Sequence, residues 1–585
     1  MSEQTPPKSP KKGGIFKRLV AYLRPVRPYF ILALTLTVVL AIMGPIRPVF
    51  FQYILDHEVA NSDVEGLRMM ILIVLGITVA EALIMYGNTY LTNWLGQTVI
   101  RDIRRQVFRH LIHLQLRYFD RNPIGMLQTR VINDVETLNN VFSSGLVKIL
   151  GDMLQLVAIV AAMFYVNWRL SLVVIITVPL LLLTTWIFKN KIKSAFTQER
   201  KKIGEMNAFI QEHLTGMQIV HIFNREKEES RKFGEINRDL QKSLLRSVFY
   251  YAVFFPVVEF ISAFALALLV WYGAGNVLEG VTTRGELFAF IMFVQLFFRP
   301  IRMLADEFNT LQLGMVSAER VFNILDTDDF IANEGTKTNL AKGEGIRIEF
   351  RNVWFAYTDE DWVLKDVSFM LEPGQKLALV GATGSGKSTI INLLSRFYEI
   401  QKGEILVNGV NIRDYDLHFL RSLIGVVLQD VFLFSDSVQD NMTLYNASIP
   451  AERIREAAAQ VGAEEFISKL PEGYDYLVRE RGATLSLGQR QLIAFARVLI
   501  YDPKILVLDE ATANIDTESE QLIQKAIDTV MTGRTSIIIA HRLSTIQKAD
   551  MILVMKKGRV IESGSHTELI ASQGAYYQLH QLQLA

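Results

Sequence analysis

A helical membrane domain of six spans followed by a cytosolic α/β phosphate-loop domain is the fold class this sequence predicts. Three observations carry it. Long apolar runs fill the chain from Tyr29 to about Met303. Residues 381–389 read GATGSGKST, a match to G-x-x-x-x-G-K-[ST]. From Ile346 onward, strand-like and helix-like segments alternate around that loop, the pattern of an α/β domain. At 585 residues, 50% of them hydrophobic, the chain is too long for one domain and too apolar for a wholly soluble protein.

A helix needs about 20 mostly apolar residues to cross about 30 Å of hydrocarbon. Six runs qualify, at 29–55, 68–95, 146–166, 169–190, 247–273 and 284–304. Their connections are unequal. Residues 56–67 and the Asn167-Trp168 pair are short and acidic or neutral, whereas 96–145 and 191–246 are long and rich in Arg and Lys. By the positive-inside rule the long segments and both termini face the cytoplasm, in a multi-pass protein of the cytoplasmic membrane. Residues 1–28 form a basic cytosolic segment, and no short apolar stretch with a small-residue cleavage site precedes the first span, so no removable signal peptide is expected.

The membrane domain is assigned to 29–325. Apolar residues recur at three- and four-residue spacing through RDIRRQVFRHLIHLQLRYF and INRDLQKSLLRSVFY, so the spans continue as helices beyond the bilayer. In FDRNPIGML, Pro123 and Gly125 predict a helix break and a fresh start. A short transverse helix there would be suited to touch another domain; an ordinary turn is the alternative. Residues 326–345 have neither helical nor strand period and read as a linker, which leaves 346–585 as the second domain. A net charge of +1 argues against nucleic acid as the main partner. With no cysteine, disulfides, thiolate metal sites and cysteine catalysis are excluded.

The run LALV (377–380) reads as a buried strand and IINLLSRFY (390–398) as a helix, the setting a phosphate loop needs. Backbone N–H groups of Gly381, Thr383, Gly384, Ser385 and Gly386, with the following helix start through Thr389, would cradle nucleotide phosphates. Lys387 would reach the β- and γ-phosphates, and the Ser388 hydroxyl would ligate Mg²⁺. ILVLDE (505–510) is an apolar strand ending in two carboxylates. Asp509 is positioned to hold the metal and Glu510 to act as general base on the attacking water.

LSLGQRQ (485–491) resembles the signature of ATP-binding cassette proteins, and further pieces follow the family's order. Gln429 resembles the Q-loop glutamine, ATANID (511–516) the D-loop, His541 the switch histidine, Tyr357 the aromatic that stacks on adenine, and RERG (479–482) the X-loop of exporters. FDRNPIGMLQTRVINDV (119–135) resembles the first coupling-helix region. The layout, covering nearly the whole chain, is that of a half-size exporter. The resemblance implies ATP and Mg²⁺ as cofactors, with Gln429 and Asp509 joining Ser388 at the metal and Gln429, Glu510 and His541 in hydrolysis. It also implies a dimer in which Ser486, Gly488 and Gln489 act in trans on nucleotide held by the partner's phosphate loop.

The family signature usually has glycine where Leu487 stands. Glycine lets backbone approach phosphate closely, so a bulky residue there is expected to perturb one composite site. An intact phosphate loop with an altered signature favours a heterodimer with a second half-transporter over a homodimer. The expected activity is ATP-driven export of amphipathic compounds of multidrug type. A lipid flippase is the alternative, and an ATP-gated channel or regulatory membrane subunit the alternative from another class. Glu510 and His541 argue against a subunit that only binds nucleotide. Glu81 and Glu259 lie inside spans, where charge is costly. They are expected either to face a cavity that receives cationic amphiphiles or to pair with Arg47, Arg299 or another donor. Aromatic residues crowd spans five and six, where helix packing and a drug or lipid pocket would use the same rings.

Overall fold

The computed structural model describes residues 14–340, 345–479, 482–509, 517–540 and 543–584. These fall into two compact units. Of the described residues, 14–112 and 124–328 form the first, and 113–123 with those from 329 onward form the second.

In the first unit, five helical stretches among the described residues are long and apolar enough to cross a membrane: Arg24–Val59, Val64–Leu111, Val147–Val166, Trp168–Thr215 and Glu226–Leu278. Arg284–Leu325 is the sixth long helix, with a capping box that joins Thr283 and Glu286 at its start. A helix of 48 residues such as Val64–Leu111 runs about 72 Å, more than twice the hydrocarbon thickness. The spans therefore do extend beyond the bilayer, as the residue periodicity anticipates. Leu72, Leu83 and Tyr86 on that helix are 67%, 66% and 73% exposed, an outward apolar face that suits lipid rather than water. Inside the unit, Phe188, Phe254, Phe290, Phe293, Phe297 and Phe298 pack together among the later helices. Phe188 stacks on Phe254 at 4.0 Å. Many of the crowded aromatics are thus helix packing. Phe260 and Trp271 instead point outward.

The first described helix, Ile15–Ala21, packs with this unit. Within the helix Ile15–Ala21, Arg18 forms a two-pronged ion pair with Asp326 at 2.6 and 2.8 Å, and its guanidinium lies 4.1 Å from the Phe322 ring.

The second unit holds ten strands among the described residues. They are β1 (Ile348–Ala356), β2 (Trp362–Leu371), β3 (Lys376–Val380), β4 (Lys402–Val407), β5 (Val410–Asn411), β6 (Ile424–Val427), β7 (Ile505–Asp509), β8 (Thr535–Ile539), β9 (Met551–Lys556) and β10 (Arg559–Gly564). One antiparallel sheet has the order β2-β1-β4-β5. The other has the order β10-β9-β3-β8-β7-β6 and is parallel except for β10. Alternate residues of β3 feed opposite cores: Leu377 and Leu379 join one cluster, Ala378 and Val380 the other. A strand covered on both faces is what the uninterrupted run LALV encodes.

The expected break falls at Asn122-Pro123, where a fresh helix, Ile124–Thr129, follows the short helix Leu116–Arg121. Leu116–Arg121 belongs to the second unit, where Gln115 donates to Asp329 at 2.6 Å and Leu114 bridges Phe330. The aperiodic stretch after Asp329 is likewise tied down, by a bridge from Lys337 to Tyr415 and a bond from Arg396 to the Ala332 carbonyl at 2.7 Å.

Candidate functional site

The phosphate loop leaves β3 and bends through three glycines at positive φ: Gly381 at 153°, Gly384 at 78° and Gly386 at 105°. A Cβ on Gly381 would collide with the Met555 carbonyl, and one on Gly386 would lie 2.6 Å from Leu364 Cδ2. Both conformation and space demand glycine at these two positions. Gly386 caps the helix Lys387–Leu394. The helix stops short of the 398 expected from sequence, because Arg396 adopts φ 50° and turns the chain out. Ser385 Oγ is buried with no hydrogen-bond partner, an orphan donor inside the loop. Lys387 is 8% exposed and donates to the carbonyls of Gly381 at 2.7 Å and Ala382 at 3.1 Å. Burial lowers the pKa of its ammonium, while the Asp509 carboxylate pulls it back up. A glycine cradle, an orphan hydroxyl and a poised ammonium fit a phosphate chain. Ser388 in the first turn is exposed and Thr389 is buried.

Tyr357 follows β1. Its hydroxyl lies 3.2 Å from Thr389 Oγ1 and accepts from Asn392 Nδ2 at 3.3 Å, which holds the ring beside the phosphate-loop helix. Phe355 and Tyr398 meet it edge-on at 4.8 and 5.1 Å. Sequence reasoning missed Asn392 and Tyr398, because both sit in a run that reads as ordinary helix.

Sheet order brings the other groups to the same edge. In parallel register Val427 pairs with Leu508, Asp509 with Ile539, and Leu379 with Ile539. Gln429 two residues past β6, Asp509 at the end of β7 and Gly381 just past β3 therefore emerge together at the carboxyl ends of the strands, where α/β sheets bind ligands. Glu510, residues 511–516 of the D-loop, His541, and Glu480 and Arg481 of the X-loop lie outside the described residues. No group of three or more acidic, His or Cys side chains converges as a ready metal cage among the described residues. The oxygen donors of Ser388, Gln429 and Asp509 are of the kind that suits Mg²⁺, which takes few protein ligands and the rest from phosphate.

Ser486 caps the helix Leu487–Tyr501. Its side chain accepts from Gln489 N at 3.2 Å, and the Gln489 side chain accepts from Ser486 N at 2.9 Å. Gly488 is buried. Among the described residues, no hydrogen bond joins Ser486 or Gln489 to the phosphate loop of the same chain. Leu487 is the first residue of a right-handed helix, so its backbone conformation does not require glycine. The side chain alters only the space in front of the helix start.

In the first unit, a cavity of about 430 Å³ is lined by Glu81, Asn88, Asn93, Lys148, Asp152 and Arg299 among others. Glu81 is ion-paired with Arg47, so the pairing alternative holds for that carboxylate even though it also faces the cavity. Glu259 does not line this cavity.

Nucleotide chemistry in one unit and membrane-length helices in the other define a class, the ATP-driven membrane transporters. Comparison with known proteins gives the family. The ABC transporter transmembrane region matches residues 30–301, and the ABC transporter domain matches 364–513. A Bacillus subtilis protein described as "Uncharacterized ABC transporter ATP-binding protein YknV" is 38% identical over 96% of this chain and 93% of its own. The "ATP-dependent lipid A-core flippase" of Syntrophus aciditrophicus is 35% identical over 97% of this chain and 94% of its own. "Probable multidrug resistance ABC transporter ATP-binding/permease protein YheH" of Bacillus subtilis is 39% identical over 89% of this chain and 78% of its own. The chain belongs to the ABC transporter family as an exporter half-transporter and couples ATP hydrolysis to transport.

Proposed function

We propose that the chain exports amphipathic compounds of multidrug type across the cytoplasmic membrane by alternating access. The carrying observation is the polar cavity inside a bundle whose outer face is apolar. Lys148 and Arg299 stand there with Glu81 and Asp152, so a polar head of either sign finds a counter-charge while its apolar part meets Met85 and Leu40. Lipid flipping is the second reading, favoured by the relative described as a lipid A-core flippase. It would use Lys148 and Arg299 on a charged head. Purified protein in vesicles decides between them. ATP-dependent dye accumulation with no leaflet exchange of labelled lipid supports multidrug export, and the reverse supports the flippase. If Arg299→Gln leaves both unchanged, the cavity is not the substrate site.

In the catalytic cycle, loop amides and Ser385 bind the phosphates, Lys387 faces the developing negative charge, and Tyr357 orients the base. Mg²⁺, held by Ser388, Gln429 and Asp509, would neutralise phosphate charge when bound. Glu510 takes the proton of the attacking water, with Gln429 and His541 positioning it. Ser486, Gly488 and Gln489 complete the partner's site. A partner is supported by an apolar cytosolic tip, where Leu214, Ile219, Ile222 and Phe223 are 66%, 60%, 61% and 66% exposed around the short helix Met217–Ile222. Leu487 favours a heterodimer. Affinity purification from native membrane followed by denaturing mass spectrometry tests this. A second cassette chain in equal amount supports the asymmetric assembly, and a single polypeptide refutes it.

A further inference from the structure

The helix Val178–Thr215 carries a feature that the transport reading does not use. Its apolar run ends at Phe188, with Trp186 63% exposed just before that end, and Lys189, Lys191 and Lys193 follow within two turns. An outward tryptophan just ahead of a lysine cluster marks the depth at which hydrocarbon gives way to headgroups. From that depth, and for about three turns beyond the apolar run, the helices Val178–Thr215, Glu226–Leu278 and Arg284–Leu325 line a pocket of about 250 Å³. Phe188 and Ile192 are buried beneath it, and Phe196 and Tyr251 are part-buried walls. Lys189, Lys193, Arg200 and Arg320 line it. Positions 189, 193, 196 and 200 recur at helical spacing, so cations and an aromatic ring share one face.

Charge balance at the pocket is uneven. Arg320 lies 3.5 Å from Asp134, which also accepts from Ser317 at 3.0 Å. Among the described residues, Lys193 and Arg200 have no carboxylate within ion-pair distance. Basic side chains over an aromatic and aliphatic floor that begins at headgroup depth, with Lys193, Arg200 and Arg320 tilted back toward the membrane end of their helices, suit an anion that carries an apolar tail. The volume accommodates a phosphodiester head rather than a whole transported amphiphile.

We propose that this pocket binds the phosphate of an anionic phospholipid from the cytoplasmic leaflet, between Lys193, Arg200 and Arg320, and thereby pins three helices of the membrane domain together. Its acyl chains continue along the exposed Leu182 and Leu183. The side of the membrane follows from the positive-inside reading; occupancy itself does not depend on it, nor on the identity of the transported compound.

Native mass spectrometry of the full-length protein in detergent, titrated with phosphatidylglycerol and separately with phosphatidylcholine, tests the site. Lys193→Gln with Arg200→Gln is expected to weaken phosphatidylglycerol binding about thirtyfold. Lys191→Gln with Lys201→Gln removes the same charge outside the pocket and is expected to change it less than about threefold. A second variant, Val316→Glu, places a carboxylate in the pocket and is expected to reproduce the loss. Phosphatidylglycerol should raise the thermal midpoint of the wild type but not of either pocket variant. Equal loss in the control pair, retained binding in both pocket variants, or equal binding of phosphatidylcholine overturns the proposal. Full displacement by millimolar inorganic phosphate would make it a soluble-anion site and overturn the lipid assignment. Because no readout involves transport, failure here leaves the exporter reading untouched.

Discussion

Gly386 holds φ at 105° where the phosphate-loop helix begins, and a methyl group there would press on Leu364. Gly386→Ala is therefore expected to strain the loop by about 1–3 kcal/mol and to weaken ATP binding measurably by calorimetry, with the fold retained. Lys387→Ala removes the only ammonium bonded into the loop among the described residues and should lower ATP turnover at least about a hundredfold, read in a phosphate-release assay. At Leu487 the structure moves the argument from backbone to volume. The position is helical, so Leu487→Gly costs about 1 kcal/mol of helix propensity at most. If side-chain bulk is what degrades the composite site, the variant raises ATP turnover of the purified assembly; unchanged turnover removes Leu487 as the cause of asymmetry.

At the scale of elements, the helical extensions beyond the apolar runs behave as arms tied by polar contacts. His213, near the end of Val178–Thr215, meets Glu229 at 2.9 Å near the start of Glu226–Leu278. The Phe209 carbonyl first, and the Glu229 carboxylate next, raise the pKa of the His213 imidazole, while Lys232 and then His213 lower that of Glu229. A histidine raised in this way contributes its stability fully below the ordinary histidine range and loses it as pH climbs through the raised value. Hydrogen-exchange protection over 209–233, corrected for the intrinsic pH dependence of amide exchange, should accordingly fall as pH rises above the ordinary histidine range. His213→Gln should abolish that dependence. Tyr398 shows the same logic outside the physiological range. Burial, then Asp120, push its phenol pKa up, so it stays a donor to Asp120 at 2.6 Å. Tyr398→Phe should loosen the helix Leu116–Arg121 by about 1 kcal/mol, seen as roughly fivefold faster exchange across 113–123.

For the whole molecule, the membrane domain must reconcile charge with an apolar surround. Arg47 and Glu81 do so as a pair beside the polar cavity. Arg47→Gln strands Glu81 and is expected to destabilise the domain by about 3 kcal/mol, whereas adding Glu81→Gln to it should recover much of the loss. Thermal unfolding of the purified protein measures both. Recovery that fails to appear would mean that Glu81 is held by the cavity rather than by Arg47.

Sequence by itself determined whatever depends on short-range chemistry. The phosphate loop, the six apolar runs and the Asp509 strand are each written within one continuous segment, because glycine conformation and hydrophobic length act locally. Only tertiary structure decided what depends on chain segments far apart. It gathered Gln429, Asp509 and Gly381 at one edge through the order of parallel strands, gave the helix Leu116–Arg121 to the second unit, and placed Asn392 and Tyr398 around Tyr357. It also gave Glu81 to Arg47 and grouped Lys193, Arg200 and Arg320 in one pocket. The physical reason is that a charge or ring inside a helix reads the same whether it faces lipid, a neighbour or a cavity. Only packing, which no local pattern encodes, selects among those environments.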